Sequence, residues 1–461
     1  MNPVPMKSRV LVPLLLCLHA LGAESGPRPV PLPSTPVTLD QALEHALAHN
    51  VTLAKGRTEL EEAQGLSVQQ RSARLPRLAT TGAYQQLDEG RIERVQFAAA
   101  QPATPFLNNQ SWNANLVVTQ PLFAGGKYRS LARSSRLTRE AALAAYQALV
   151  ANTLLEVRIA YSDVLLAVEQ IGVQEASKRL LEQELETARR SLEAGTVPRF
   201  NVLRAEVELA NALPPLIRAR NQERIARNTL ALLLGCDVPS DSGADVPLRT
   251  ADTLRAEPFE ISVGSALNSA WLRRPEIKAA QTSARIRHEE VLQSRADLMP
   301  SLSGTAGYGV QNRNFIRDLD RTLDGWTVGV QANWLLFDFG QTRARVDMAR
   351  AREDRARLEI EDVRRRIELE VRTAFSLFTE SKEVLVSQTR VIERAEEAVR
   401  LVTARAEAGS STQLDVLSAQ TALKLSRTQH SQALRDYTVA KARLERAMGE
   451  GVRLSVETPS H

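Results

Sequence analysis

Disulfides cannot hold this chain together. It has only two cysteines in 461 residues. Cys17 lies in an apolar N-terminal run that reads as a cleaved leader, which leaves Cys236 as the one cysteine of the mature chain and no internal disulfide possible. Aromatic residues are scarce at 4%, and three of the four tryptophans fall in two short segments, at Trp112 and from Trp326 to Trp334. No apolar run reaches the roughly 20 residues that a membrane-spanning helix needs, so a helical crossing is excluded. No nucleophile stands at a recognisable spacing from a base. His45 and His49 share a helical face, a spacing that can hold a metal. No Glu follows His45 in the protease pattern and no third ligand is near, so the pair reads as a solvated face. Gly125-Gly126-Lys127-Tyr128 lacks the earlier Gly and the Ser/Thr that a phosphate loop requires; it reads as a turn between strand and helix. No catalytic residue, metal site or cofactor is expected.

The formal net charge of +5 raises the possibility of nucleic acid. The arginines are not interleaved with stacking aromatics, and they read instead as wet faces of long helices. The first residues are more specific. Lys7 and Arg9 precede the apolar run Val10–Leu18, followed by the small residues Ala20, Gly22 and Ala23. That layout predicts a secretory signal peptide over residues 1–23. Leu14-Leu15-Leu16 puts a bulky Leu where a lipobox takes Gly, Ala or Ser, which argues against a lipid on Cys17.

The mature chain repeats itself. AGTVPRFNVLRAEVEL from Ala194 returns as AGSSTQLDVLSAQTAL from Ala408, an offset of 214 positions that also carries Gly126 onto Gly340 and Gly235 onto Gly449. Upstream the offset is 224, taking Pro76 to Pro300 and Tyr84 to Tyr308. A unit this long is no solenoid repeat. It divides the chain into a first half with a connector, residues 24–260, and a second half with a tail, residues 261–461.

Each half predicts the order helix, strand, strand, long helix, turn, helix. Leu39–Ala73 reads as one helix. Leu78–Gln86 and Trp112–Leu122 alternate in polarity, as do Leu302–Gln311 and Trp326–Leu336. Period-two alternation with aromatics near the ends suits a membrane-spanning strand, and Tyr84, Trp112, Tyr308, Trp326 and Trp334 are the expected interface residues. An ordinary hairpin with one buried face gives the same period. Lys127–Glu193 and Gln341–Glu407 then read as helices of 67 residues each, stable only if packed along their length. Gly195 and Gly409 close them, and return helices begin near Asn201 and Asp415. Pro214-Pro215 predicts a kink or break in the first return helix. Asp237–Glu260 reads as an irregular connector.

Four strands per chain cannot close a barrel in lipid, where open sheet edges are not tolerated. Two chains would give an eight-stranded barrel filled by its own side chains; three give twelve strands and room for a pore. The expected fold is therefore mainly α with transmembrane β: a trimeric twelve-stranded barrel that carries the long helices.

The duplicated motif Ala-Gly-x5-Asn/Asp-Val-Leu, at Ala194–Leu203 and Ala408–Leu417, resembles that of TolC-like outer-membrane efflux proteins. The junctions Gln120–Gly126 and Leu336–Gly340 are similar to theirs as well. The resemblance runs from about Leu39 to Gly449. It implies a homotrimer in outer-membrane lipid whose twelve-stranded β-barrel is continued by a long α-helical barrel, a tunnel that reaches into the periplasm. The family serves as the exit duct of tripartite efflux pumps or of type I secretion systems, and Pro214-Pro215 resembles the branch that partners RND-type pumps. By the same resemblance Gly195, Asn201, Val202, Leu203, Gly409, Asp415, Val416 and Leu417 form the tip that docks a periplasmic adaptor. Asp415 falls on an acidic position of the pore constriction. A second acidic position is Ser418 here, which implies a thinner ring. The competing class, a periplasmic coiled-coil adaptor or scaffold, shares the leader and the long helices but not the alternating strand pairs.

Overall fold

The computed structural model describes residues 36–96, 104–105, 109–236, 246–312 and 322–450. The expected leader with Cys17, parts of the strand-connecting loops, the first residues of the connector and the end of the C-terminal tail lie outside them.

Thr38 opens helix α1 (Leu39–His49) with a capping box, its hydroxyl accepting from the Gln41 N–H while the Gln41 side chain bonds back. The chain then turns at Asn50 and restarts as α2 (Val51–Ser72). This corrects the single helix read over Leu39–Ala73. Asn50 sits in extended backbone, and its Oδ1 accepts from the N–H groups of Thr52 and Leu53 at 2.8 and 3.1 Å. An Asn side chain competes locally with the helical ladder and favours a cap. Its Nδ2 donates to the Leu233 carbonyl at 2.6 Å, so tertiary packing fixes the break.

Strand β1 (Arg77–Gln86) leads through a polar loop bearing the short hairpin β2 (Arg94–Val95) and β3 (Thr104–Pro105) into β4 (Gln110–Ala124). Helix α3 (Lys127–Glu193) follows, then the return helix α4 (Arg199–Leu234). Pro214 and Pro215 lie inside α4, which runs through them unbroken. The expected break is therefore absent. Each Pro forfeits one helical N–H, but α4 packs along α3, and that contact keeps the segment helical.

The second half repeats the order with α5 (Val263–Arg273), α6 (Pro275–Ala296), β5 (Ser301–Asn312), β6 (Thr322–Asn333), α7 (Gln341–Glu407) and α8 (Gln413–Ala447). Leu39–His49 returns at Val263–Arg273 and Val51–Ser72 at Pro275–Ala296, both 224 positions on. Both long helices have 67 residues and sit 214 apart. Between the halves, the described connector residues 246–260 form neither helix nor strand, apart from one bridge between Val37 and Thr250.

Each half has its own core where the short first helix meets the long pair. In the first, Tyr161, Leu230, Leu234, Val246 and Leu248 are buried together; in the second, Phe378, Tyr437, Leu444 and Met448 are. The Tyr161 hydroxyl lies 2.7 Å from Asp252 Oδ2 and 2.9 Å from the Val37 carbonyl. Burial, and then the neighbouring Asp252 carboxylate, push that phenol well above its usual range. It ties the connector to the long helix.

Candidate functional site

The four long strands form one antiparallel sheet in the order β1-β4-β5-β6. Its register aligns the apolar face across all four. Tyr84 lies opposite Trp112, Leu116 opposite Tyr308, and Tyr308 opposite Trp326. The opposite face carries Thr81, Asn113, Asn115, Thr305 and Gln331. One face can meet lipid and the other water, as a channel wall requires. Tyr84, Trp112, Tyr308 and Trp326 all sit toward the loop end, where the Tyr308 hydroxyl also donates to Asp324.

Trp334 departs from the reading. Strand β6 ends at Asn333, so Trp334 lies one residue past the strand, and its indole Nε1 donates to the Leu298 carbonyl at 3.2 Å. It marks the helix-side rim with the exposed Phe337 and Phe339, where an amphipathic ring suits a membrane boundary. The alternating pattern continues beyond Asn333, but the ladder stops because β5, its partner, begins at Ser301 opposite Asn333.

Strand passes to helix through left-handed glycines. Gly125 and Gly126 have φ of 57° and 86°, and Lys127, the first residue of α3, pairs with Asp297 at 2.9 Å. Phe339, at φ 54°, takes the place of Gly125 in the second copy. His45 bonds through Nδ1 to the Leu234 carbonyl at 3.1 Å.

At the far end lie two tips. In the first, Gly195 has φ 69°; its N–H donates to Leu192 O and that of Thr196 to Ser191 O, both at 2.9 Å. The second has Gly409 at φ 71°, with Gly409 N–H to Ala406 O at 3.0 Å and Ser410 N–H to Arg405 O at 2.9 Å. Both are Schellman closures. Nothing lies within 4 Å of a Cβ built on either glycine, so the backbone angle alone selects Gly.

The return turns differ. Helix α4 starts after Pro198 with no side-chain cap, and Asn201 only donates its own N–H to Pro198 O at 3.0 Å. Helix α8 starts with a full capping box. The Asp415 N–H donates to Thr412 Oγ1 at 3.2 Å, while Asp415 Oδ2 accepts from Thr412 N–H at 2.9 Å, Thr412 Oγ1 at 2.7 Å and Ser411 Oγ at 3.1 Å. Those bonds, led by the Thr412 hydroxyl, hold the Asp415 carboxyl below its ordinary range. The sequence placed an acid at this point but not the box, although Thr412 three residues before Asp415 was the available signal. Asp415 and Ser418 are exposed on successive turns. Val202 is buried with Leu185 and Ala188, whereas Leu203 is exposed; Val416 and Leu417 are half-buried. Val202 thus packs the tip, and Leu203 stays exposed.

This geometry has counterparts among known proteins. Residues 42–236 and 266–450 both match the outer membrane efflux protein family, one match to each half. The chain belongs to that family. It is an outer-membrane protein with a helical tunnel beneath its sheet, and among the described residues no helix is long and apolar enough to cross a membrane. It is similar to the alkaline protease secretion protein AprF of Pseudomonas aeruginosa, at 27% identity over 72% of this chain and 69% of that one. It is also similar to the toluene efflux pump outer membrane protein TtgF of Pseudomonas putida, at 25% identity over 88% and 82%. Among solved structures, the CmeC outer membrane channel of Campylobacter jejuni superposes with a TM-score of 0.74 at 17% identity, covering 89% of this chain and 85% of that one. That likeness concerns the fold.

Proposed function

We propose that this efflux family member works as a homotrimer: three four-stranded sheets close a twelve-stranded barrel over a common helical tunnel, forming the passive exit duct of a tripartite pump. The observation that carries the reading is the sheet itself. It is amphipathic in register across all four strands, continues into helices of 67 residues, and leaves β1 and β6 each with one neighbour. Open edges in lipid cost several kcal/mol per unpaired group, so copies of the chain must pair them.

The tips at Gly195–Leu203 and Gly409–Leu417 dock a periplasmic adaptor, with the exposed Leu203 as contact. The inner-membrane partner is an RND-type pump. Similarity to an efflux outer membrane protein over 88% of the chain supports efflux, and similarity to a protease secretion protein supports export of a protein as the second reading. Three copies of Asp415 near the axis would form the constriction's charge, with Ser418 adding none. Detergent-purified protein should have the mass of three chains and conduct ions in planar bilayers. A mass of one or two chains defeats the duct. Deleting the gene should raise drug accumulation; unchanged accumulation with loss of one secreted protein would favour the second reading.

A further inference from the structure

Both long helices carry cations just below the sheet. Arg129 and Arg136 lie near the start of α3, and Arg343 and Arg350 fill the same places on α7, 214 positions on. All four are exposed. Among the described residues, no carboxylate lies within ion-pair distance of Arg129, Arg136 or Arg343, and Arg350 has only the exposed Asp347 of its own helix, at 3.3 Å. The other acids nearby are engaged. Asp297 pairs with Lys127, Glu289 accepts from Arg133 and Ser130, and Asp338 caps α7 through the N–H groups of Gly340 and Thr342.

The helical period gives the direction of these arginines. In helices packed along their length, residues whole heptads apart share a face. Arg129 and Arg136 stand whole heptads ahead of Val157 and Val164, which are buried with Ala42 and Ala46 of α1 and with Val246 and Leu248 of the connector. Arg343 and Arg350 stand in the same way ahead of Val371 and Phe378, buried with Ala266 and Ala270 of α5. That extra layer on the inner side would fill a tunnel, so this face of each long helix looks outward.

The surroundings are those of a membrane boundary. Leu122-Phe123 precede α3 and Leu336-Phe337 precede α7 at matching positions of the repeat, and all four side chains are exposed. Helical side chains tilt toward the helix N-terminus, here toward these apolar residues. Headgroups occupy about 5–7 Å beyond each face of the hydrocarbon, and Arg129 and Arg343 sit only about 3 Å into their helices. One heptad further on, the long side chains of Arg136 and Arg350 reach back toward the same layer.

We infer that the arginines at the heads of α3 and α7 bind the phosphate of anionic glycerophospholipids in the periplasmic leaflet, one site on each long helix. A guanidinium fork meets two phosphate oxygens at once, while the neighbouring Leu-Phe pair meets the acyl chains. A zwitterionic lipid offers the same phosphate but brings its own cation, so net charge decides between them. This rests on the homotrimer proposed above, which turns the face outward, and the test separates the two.

Full-length protein, stripped of lipid in detergent, is titrated with dioleoylphosphatidylglycerol or dioleoylphosphatidylcholine and weighed by native mass spectrometry. Trimers should retain the anionic lipid several-fold better. Arg129→Gln with Arg343→Gln should lower that retention several-fold at unchanged trimer yield, and each single change should remove part of it. Arg390→Gln with Arg394→Gln removes the same charge from exposed positions of α7 roughly 70 Å further along, and should change nothing. Equal retention of the two lipids, or equal losses at the rim and at the distant pair, overturns the site. Displacement of the lipid by an equal concentration of inorganic phosphate overturns the lipid assignment and leaves a simple anion site. A mass of one chain overturns the ring instead.

Discussion

The two halves perform the same backbone task at one point with different chemistry. Between α1 and α2 the chain breaks at Asn50, and between α5 and α6 at Arg274, with ψ of 126° and 118°. Both side chains are buried. Both reach back to the end of the return helix, Asn50 to Leu233 O and Arg274 Nη1 to Ala447 O at 3.3 Å, which are matching positions of the repeat. Asn50 satisfies itself with neutral bonds. Arg274 brings a charge, which Glu370 meets in a fork at 2.7 and 3.1 Å. Arg446 completes the network through bonds to Glu370, to Glu276 at 3.0 Å and to Asn152 at 2.8 Å. Glu276 Oε2 also lies 3.0 Å from Arg274 Nε, off the line of a hydrogen bond. Burial raises the Glu370 carboxyl, but the two guanidinium groups, Arg274 foremost, more than offset it and leave it below its ordinary range. Duplication fixes where a helix must turn, and leaves open how the buried polar group is matched.

Removing each side chain tests that contrast most sharply. Arg274→Ala strands carboxylates that are partly buried and should cost about 3–5 kcal/mol, whereas Asn50→Ala should cost about 1–3 kcal/mol. Hydrogen exchange at the ends of α8 and α4 reads the two separately; equal effects would break the comparison. Within the sheet, Val328→Arg on the lipid face of mid-β6 should cost about 2–4 kcal/mol, and Trp334→Arg at the rim only about 0–1 kcal/mol, scored by trimer yield. The reverse order would return Trp334 to the membrane interior.

The glycines that end the helices should also divide. At Gly235 a Cβ would stand 2.2 Å from the His49 carbonyl, while at Gly409 it meets nothing. Gly235→Ala then adds overpacking of about 1–3 kcal/mol to the left-handed strain of about 1–2 kcal/mol that both share. Melting of the purified protein should rank them in that order. At the tips, Thr412→Ala should loosen the start of α8 by about 0.5–2 kcal/mol, and Pro198→Ala, which removes no cap, should leave α4 unchanged by exchange at its first turn.

Acid gives the smallest effect. The Asp415 carboxyl titrates below its ordinary 3.8 in the folded chain, so its contribution is complete above that value and is lost as pH falls through the lower folded one. Exchange at the α8 tip should quicken there before the α4 tip responds. Asp415→Asn should abolish this acid sensitivity while keeping much of the cap, and should lower cation selectivity in bilayers if the constriction lies here. Unchanged selectivity in intact trimers would leave Asp415 as a cap alone.

Local rules made much of this molecule legible. Gly195 and Gly409 mark helix ends because only the left-handed angle suits a Schellman closure. The bounds of α3 and α7 followed from glycines on either side of long runs without proline. The register of the repeat, 214 and 224 positions, likewise needed no coordinates. What escaped was set by contacts between distant segments. Asn50 interrupts an otherwise helical pattern because Leu233, 183 positions away, offers its carbonyl. Pro214 and Pro215 fail to break α4 because α3 supports it along its length. Trp334 leaves the ladder because its partner strand has already begun.

The sequence by itself determined the order of elements, the two-fold internal repeat and the amphipathic sense of each strand, since those depend on side-chain period and backbone angle within a few residues. Only the tertiary structure decided which strand lies beside which, that β4 and β5 join the halves while β1 and β6 stay open, and which of two matching polar groups is neutral or charged. The physical reason is reach: a turn or a period is fixed by neighbours in sequence, whereas pairing and buried charge depend on groups that meet only after the chain has folded.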